Sequence, residues 1–316
     1  MSNNQDENKI SNKLLALNAL FLLLIICLVF VIYGSLHPQK KVDSTIPGEL
    51  TTATHAFDNL PLQAKAVYVF DVVKNKVVFQ KNAETQLPLA SITKLMMAVT
   101  ASDLLPKTSH ITIRKEFLTE EGDSGLLANE SWRLKDLLDF SLVVSSNDGA
   151  RSIASVIGAF DLQTSDYDLG RKDFIEKMNE KAQNLGFEQM YFVNESGLDI
   201  GNTSGGYGTA QNVAGLMEYI LKNKPDIVEA TKIPTSTISS LTTKHTAVNT
   251  NTEINRIPGL IASKTGFTDL AGGNLVVAFD ASIGRPIIVV VLGSTQDGRF
   301  KDIDALVNSS LEYIRE

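Results

Sequence analysis

Three short strings hold the residue types needed for a serine nucleophile with a lysine base: Ser91-Ile-Thr-Lys94, Ser145-Ser-Asn147 and Lys264-Thr-Gly266. A serine hydroxyl is a weak nucleophile and needs a base close by. Lysine becomes such a base when burial or a second cation lowers its pKa. Each string is common by chance, but their order and wide separation are much harder to obtain accidentally. Together they predict acyl-serine chemistry that uses no histidine.

The first two strings supply the catalytic groups. Ser91 opens a predicted helix over residues 91–102, and Lys94 follows three residues later, so both side chains project from one face. We therefore expect Ser91 to be the nucleophile and Lys94 to be the base. Ser145 is expected in a loop between two helices, where it relays a proton between the lysine and the leaving amine. The amide of Asn147 is expected to hydrogen-bond the substrate backbone.

The third string predicts a substrate-binding strand. An extended peptide pairing with this strand would add to the edge of a sheet. Lys264 and the Thr265 hydroxyl suit a terminal carboxylate, and Lys264 is also a candidate second cation beside the base. Gly266 lacks a Cβ atom and is expected to let substrate approach closely. The backbone N–H groups of Ser91 and Phe267 are candidates for an oxyanion hole.

Composition excludes several other chemistries. The chain has 316 residues, 43% of them hydrophobic, which is enough for one large globular domain. The net charge of −7 and the lack of a long basic run argue against a nucleic-acid partner. The single cysteine, Cys27, allows no disulfide within the chain. The histidines show no zinc-binding spacing, so we expect neither a metal nor another cofactor.

Residues 14–33 predict a transmembrane anchor. They are apolar except for Asn18 and carry no charge, and a helix of this length reaches about 30 Å, the thickness of a bilayer core. A cleaved signal peptide is the alternative, but its apolar region is usually shorter and ends at a small-residue site. Residues 1–13 then form a cytoplasmic tail, 34–61 a flexible linker, and 62–316 the catalytic domain.

The catalytic domain is predicted to have an α+β fold. Short β-branched runs predict strands at 66–71, 77–80, 260–264, 274–279 and 286–292. Apolar periodicity predicts helices at 91–102, 134–142, 150–157 and 174–185, and a final helix that carries Ile303, Leu306, Val307, Leu311 and Ile314 on one face. Strands at both ends of the domain indicate one antiparallel sheet flanked by helices.

At the three strings and in the phrases around them the chain resembles the serine-type D-alanyl-D-alanine carboxypeptidases, the low-molecular-weight penicillin-binding proteins of peptidase family S11. The phrases are Pro88-Leu-Ala-Ser-Ile-Thr-Lys-Leu-Met96, Ser145-Ser-Asn-Asp-Gly-Ala150, Phe192-Val-Asn-Glu-Ser-Gly-Leu-Asp199 and Lys264-Thr-Gly-Phe-Thr268.

This resemblance implies a β-lactamase/transpeptidase-like fold in which Ser91 forms the acyl-enzyme, Lys94 accepts the proton, Ser145 assists and Lys264 binds substrate. It also implies that the protein trims the last D-alanine from peptidoglycan stem peptides and is acylated by β-lactams. It places the catalytic domain on the extracytoplasmic side of a bacterial cell membrane.

Three other functions fit the same strings. A D,D-endopeptidase that cuts peptidoglycan cross-links uses identical chemistry. A β-lactamase needs rapid deacylation, which one class achieves with an added glutamate; Glu180-Lys-Ala-Gln-Asn184 is only loosely similar to that element. A wall-binding or β-lactam-sensing domain would acylate without turning over. The chain also departs from the family pattern, because Ser146 stands where glycine is frequent and the anchor precedes the catalytic domain.

Overall fold

A five-stranded antiparallel sheet forms the middle layer of the domain, with strands from both ends of the described chain. The structure, a computed structural model, describes residues 55–315. In spatial order the strands are β10 (Leu260–Thr268), β11 (Gly272–Asp280), β12 (Pro286–Ser294), β1 (Ala66–Asp71) and β2 (Lys76–Lys81). The α+β architecture and the sheet built from both ends agree with the sequence-based prediction.

Helices cover both faces of this sheet. They are α1 (Lys94–Leu104), α2 (Leu134–Val143), α3 (Asn147–Asp161), α4 (Tyr167–Asn184), α5 (Ala210–Asn223) and α6 (Gly298–Arg315). The short strands are β3 (Leu87–Pro88), β4 (His110–Thr112), β5 (Ser131–Arg133), β6 (Tyr191–Phe192), β7 (Gly206–Gly208), β8 (Thr235–Ser239) and β9 (Lys244–Val248). Single 3₁₀ turns occupy His55–Phe57, Ala90–Thr93, Lys115–Phe117, Pro225–Ile227, Glu229–Lys232 and Ile254–Arg256.

Strand β12 shows why the sheet is buried on both faces. Successive side chains of a strand point to opposite sides. Val289 and Val291 pack in the cluster under α6, whereas Val290 and Leu292 pack in the larger cluster under α1 to α5. Because both faces need apolar side chains, the strand is a continuous run of Ile, Val and Leu.

Three helix starts differ from the sequence-based prediction. The largest difference is at α4, which begins at Tyr167, seven residues before the predicted 174, because the Asp166 side chain caps it by accepting hydrogen bonds from the N–H groups of Asp168 and Leu169. The predicted helix 91–102 begins as the 3₁₀ turn Ala90–Thr93 and becomes α-helical only at Lys94. Helix α3 begins at Asn147, three residues before the predicted start, because the Ser146 hydroxyl caps it by accepting a hydrogen bond from the Gly149 N–H. Asn147 is therefore the first residue of a helix, and Val144, Ser145 and Ser146 form the connection from α2.

The packed domain extends further toward the N-terminus than the predicted boundary at residue 62. The ring of Phe57 stacks on Phe79 of β2 with 5.1 Å between centroids, and Leu60 packs against the cluster under α6. One aromatic anchor in a polar segment leaves no periodic pattern in sequence, which explains the difference. The predicted tail and anchor, and the predicted linker up to residue 54, lie outside the described residues. Within residues 55–315 no helix has the length and apolarity to cross a bilayer.

Substitution of Leu306 tests how much the packing of α6 on the sheet contributes to stability. Its side chain is fully buried in the cluster between helix and sheet. We expect Leu306→Ala to lower the free energy of unfolding by about 2–5 kcal/mol, because the shorter side chain loses packing contacts and leaves a cavity. Denaturant unfolding measures this loss. Asn308→Ala, at an exposed position of the same helix, is the control and should change stability little. Equal effects of the two substitutions would contradict the packing role.

Candidate active site

The 3₁₀ turn Ala90–Thr93 presents Ser91 at the entrance to α1. Ala90 adopts φ 48°, a left-handed conformation that is rare for residues other than glycine. The turn is held closely by its neighbours: a Cβ atom on Gly197 would lie 1.9 Å from the Ala90 carbonyl oxygen, and the Leu89 N–H donates to the Gly206 carbonyl. Strained backbone of this kind collects at functional sites, where surrounding contacts fix it.

Lys94 is the centre of the site. Its Nζ donates to Ser91 Oγ at 2.9 Å, to Asn147 Oδ1 at 2.7 Å and to the Ser196 carbonyl at 2.8 Å. The side chain is fully buried, and this burial lowers the pKa of Lys94 to about 7, although nearby carboxylates oppose the shift. A lysine that is partly neutral near pH 7 and touches a serine hydroxyl can accept its proton.

The second string forms the wall opposite Ser91. Ser145 has φ 60°, and its Oγ accepts a hydrogen bond from Lys264 Nζ at 2.9 Å. The Asn147 amide is engaged at both ends, since its oxygen accepts from Lys94 and its nitrogen donates to the Glu121 carbonyl at 2.6 Å. Asn147 thus orients the base here, in addition to the substrate contact that its sequence position predicts.

The third string lies on β10, which is the edge strand of the sheet. The Ser263 N–H donates to the Thr231 hydroxyl, and Thr231 lies in a 3₁₀ turn outside the sheet. This N–H therefore points away from β11. Because N–H groups alternate in direction along a strand, those of Thr265 and Phe267 point to the same side, along the open edge. The Phe267 N–H therefore has the direction that an oxyanion-hole donor requires, and the edge can accept a peptide strand.

Gly266 has a second structural reason to be glycine, in addition to the expected one. A Cβ atom there would lie 2.8 Å from the Leu89 carbonyl oxygen and 3.1 Å from the Ser91 nitrogen. The sequence-based prediction assigned the glycine to close approach of substrate. The structure shows that the missing side chain first lets β10 lie directly against the turn that carries Ser91.

Lys264 is almost fully buried, with its Nζ bonded to Ser145 Oγ and to the Thr265 carbonyl. Burial, followed by repulsion from Lys94 and Arg299, holds the pKa of Lys264 well below its usual range. Lys264 is thus a second amine close to Lys94, as the sequence predicts, and burial is the largest cause of the lowered pKa of both.

Arg299 is a site residue that sequence reasoning missed. It comes from α6, is only 7% exposed, and its Nη1 donates to the Gly266 carbonyl at 2.7 Å. Its Nε has no hydrogen-bond partner among the described residues, and the side chain lines a cavity of about 530 Å³. Thr250 joins the same region through a 2.5 Å contact between its hydroxyl and that of Thr265. No local pattern marks either residue in the sequence.

Two other arrangements bear on the alternatives. Glu180, the residue similar to a β-lactamase glutamate, is exposed within α4, a regular helix. Within residues 55–315 no three His, Cys, Asp or Glu side chains are grouped so that they could hold a metal ion. The groups assembled around Ser91 are those of an acyl-serine hydrolase with a lysine base.

Fold and site together define a serine hydrolase of the penicillin-recognising class. The chain belongs to the Peptidase_S11 family, D-alanyl-D-alanine carboxypeptidase, which it matches over residues 51–296. It is 28% identical to D-alanyl-D-alanine carboxypeptidase DacB2 of Mycobacterium tuberculosis over 74% of this chain and 77% of that protein. It is 30% identical to a D-alanyl-D-alanine endopeptidase of Haemophilus influenzae over 67% of this chain and 69% of that protein.

A solved structure shows the same fold. Penicillin-binding protein D2 from Listeria monocytogenes, in its ampicillin-bound form, superposes with a TM-score of 0.65 and 27% identity over 79% of this chain and 98% of that one. Membership of the family implies peptidoglycan peptides as substrates and β-lactams as ligands.

The packing at Gly266 is testable. We expect Gly266→Ala to push β10 away from the Ser91 turn, because the new Cβ would meet backbone atoms that cannot rotate aside. The rate of acylation by a fluorescent penicillin should fall by about 10²–10³-fold, the loss that follows when one oxyanion-hole donor is removed. Thermal unfolding is the control for intact folding. An unchanged acylation rate in the folded variant would contradict this account.

Proposed function

We propose that this protein removes the terminal D-alanine from peptidoglycan stem peptides, with Ser91 as nucleophile and Lys94 as its base. The observation that carries the proposal is the 2.9 Å hydrogen bond between Lys94 Nζ and Ser91 Oγ inside a buried site. A pKa of about 7 supports it, because a substantial fraction of Lys94 is then neutral at neutral pH.

In the acylation step, Ser91 Oγ attacks the carbonyl carbon of the bond between the last two D-alanines. A C–O bond forms, and the hydroxyl proton passes to Lys94 Nζ. The negative charge on the carbonyl oxygen is stabilised by the N–H groups of Ser91 and Phe267. The C–N bond then breaks, Lys94 gives the proton that it took from Ser91 to the leaving amine through the Ser145 hydroxyl, and free D-alanine departs with Lys94 neutral again. An ester on Ser91 remains.

The pair formed by Ser145 and Lys264 provides the route for that proton. Ser145 Oγ accepts from Lys264 Nζ, and its hydroxyl hydrogen can therefore point into the cleft toward the leaving amine. Hydrolysis of the ester follows the reverse sequence with water in place of the amine. Water gives a proton to neutral Lys94 as its oxygen bonds to the ester carbon, the C–O bond to Ser91 breaks, and Lys94 returns the proton to Ser91 Oγ.

Substrate binding uses the edge of β10. An extended peptide there would pair with the outward N–H groups of the strand, and its terminal carboxylate would lie near Thr265 and Lys264. A carboxylate at this position would favour the charged form of Lys264, whose pKa is otherwise held low by burial and neighbouring cations. Arg299 adds a second positive charge beneath the strand.

A D,D-endopeptidase activity is the second candidate. The observation that favours it is the 30% identity to a protein named as an endopeptidase, slightly above the 28% identity to a carboxypeptidase. The bond that is broken is of the same kind in both reactions, and only the group that leaves differs. β-Lactams would act as covalent inhibitors in either case, through an ester on Ser91.

The location of the enzyme is part of the proposal. The uncharged run 14–33 is long enough to anchor the chain in the cell membrane, and the polar segment after it would act as a tether. Because the proposed substrate lies in the cell wall, the catalytic domain would be on the extracytoplasmic side.

The proposed reaction predicts a specific product. The full-length protein should release free D-alanine from a model stem pentapeptide and should be labelled by fluorescent penicillin. Ser91→Ala should abolish both, since no other group can form the ester, a loss of at least about 10³-fold. Ser102→Ala, a serine on the outer part of α1, is the matched control and should retain both. On purified peptidoglycan, split cross-links without free D-alanine would instead identify an endopeptidase.

The pH dependence follows from the state of Lys94. Only the neutral amine can accept the Ser91 proton, so the acylation rate should rise with pH through about 7 and then level off. Below that point it should fall about tenfold per pH unit. Acylation by fluorescent penicillin, measured from about pH 5 to about pH 9, gives the curve. Lys94→Arg, which stays charged, should be inactive throughout, and a flat wild-type curve would contradict the assignment.

A further inference from the structure

An ion pair between a buried glutamate, Glu195, and a partly exposed arginine, Arg171, lies close to Lys94 and has no part in the mechanism described so far. Glu195 is fully buried, and both of its carboxylate oxygens accept from Arg171 Nε, at 2.9 and 3.2 Å. Glu195 immediately precedes Ser196, whose carbonyl accepts a hydrogen bond from Lys94 Nζ. One short segment therefore carries both a contact with the base and a buried negative charge next to it.

The pair continues into the loop that holds Asn147. Arg171 lies 3.6 Å from the carboxylate of Glu120, which also accepts a hydrogen bond from Arg151 at 2.8 Å. Glu121, the next residue, provides the carbonyl that fixes the Asn147 amide. Two of the three acceptors around the Lys94 amine, Asn147 Oδ1 and the Ser196 carbonyl, are thus connected to one row of alternating charges. The row is Glu195, Arg171, Glu120 and Arg151.

The charge around Lys94 comes from several packed elements. Glu195 from the segment after β6 and Glu120 from the loop before β5 both favour its charged form, and Lys264 from β10 is the cation that it repels. The groups in direct contact with those two glutamates come from α3 and α4: Asp148, Arg151 and Arg171. A bare buried carboxylate would hold Lys94 protonated, whereas one neutralised by an arginine has a much weaker effect.

We infer that the Glu195–Arg171 pair is a positioning element of the catalytic centre: it fixes the Ser196 carbonyl against Lys94 and sets the pH at which Lys94 becomes a base. The inference rests on the proposed function and deepens it. Glu195 does not contact substrate, because it is fully buried and both of its oxygens face Arg171. Glu195 acts only on Lys94, through the position of the Ser196 carbonyl and through the charge next to the Lys94 amine.

The test compares four variants of the full-length protein: Glu195→Gln, Arg171→Gln, the double variant, and Arg171→Lys. Each is assayed for its rate of acylation by fluorescent penicillin over about pH 5 to about pH 10. Asp71→Asn is the matched control, because Asp71 is also fully buried and paired with an arginine, Arg285, but is absent from the Lys94 surroundings. Thermal unfolding reports the stability of every variant.

The two single substitutions should shift the rising limb of the pH curve in opposite directions. Glu195→Gln removes a charge that favours the ammonium, so the midpoint should move to lower pH by about one unit. Arg171→Gln leaves Glu195 uncompensated, so the midpoint should move to higher pH by a similar amount. The double variant and Arg171→Lys should lie near wild type. Asp71→Asn should lower the unfolding temperature and leave the midpoint unchanged.

A purely structural role would give a different result. If Glu195→Gln lowered stability or the plateau rate with an unchanged midpoint, the inference would be overturned, even if Arg171→Gln failed to fold. Equal shifts in one direction for both single variants would also overturn it. Failure of the proposed function is distinguishable, because the wild-type protein itself would then show no acylation or no rising limb.

Discussion

Burial of the Lys94 amine is the constraint on which the rest of the site depends. Lowering the pKa of a lysine from 10.5 to about 7 corresponds to a cost on the order of 5 kcal/mol in folding free energy at pH 7. The cost persists below the lowered pKa and vanishes as pH rises toward the unfolded value, because the unfolded chain binds more protons. Apolar packing on both faces of the sheet, against the flanking helices, must offset this cost in folding free energy.

The sheet also explains how segments distant in sequence reach one cleft. Strand β10 lies at an edge, and Gly266 lets that edge touch the turn before α1 without an intervening side chain. The second string enters from the junction of α2 and α3, where Ser145 takes a left-handed conformation. Such conformations cost free energy that the packing around them has to supply. The geometry of the site is therefore a property of the whole domain.

The sequence predicts those parts of the fold and site that leave a local or periodic signal. The β-branched runs predicted β1, β11 and β12, and the spacing of Ser91 and Lys94 predicted two side chains that the structure brings into hydrogen-bond contact. Contacts between residues far apart in sequence leave no such signal. The packing partner of Gly266, the direction of the Asn147 amide and the position of Arg299 all belong to that class. The starts of α3 and α4 had a readable sign, the cap residues Ser146 and Asp166.

The partly covered edge of β10 has a consequence for polymer selectivity. Thr231 occupies the outward position at Ser263, so the strand is open only from about Lys264 to Thr268. At roughly 3.3 Å per residue this leaves a landing stretch of about 16 Å. A stretch of this length contacts only a few residues at one end of an extended peptide and makes no contact with the rest of it. Differences in the wall polymer far from the scissile bond would thus have little effect on binding, whereas groups next to that bond would determine selectivity.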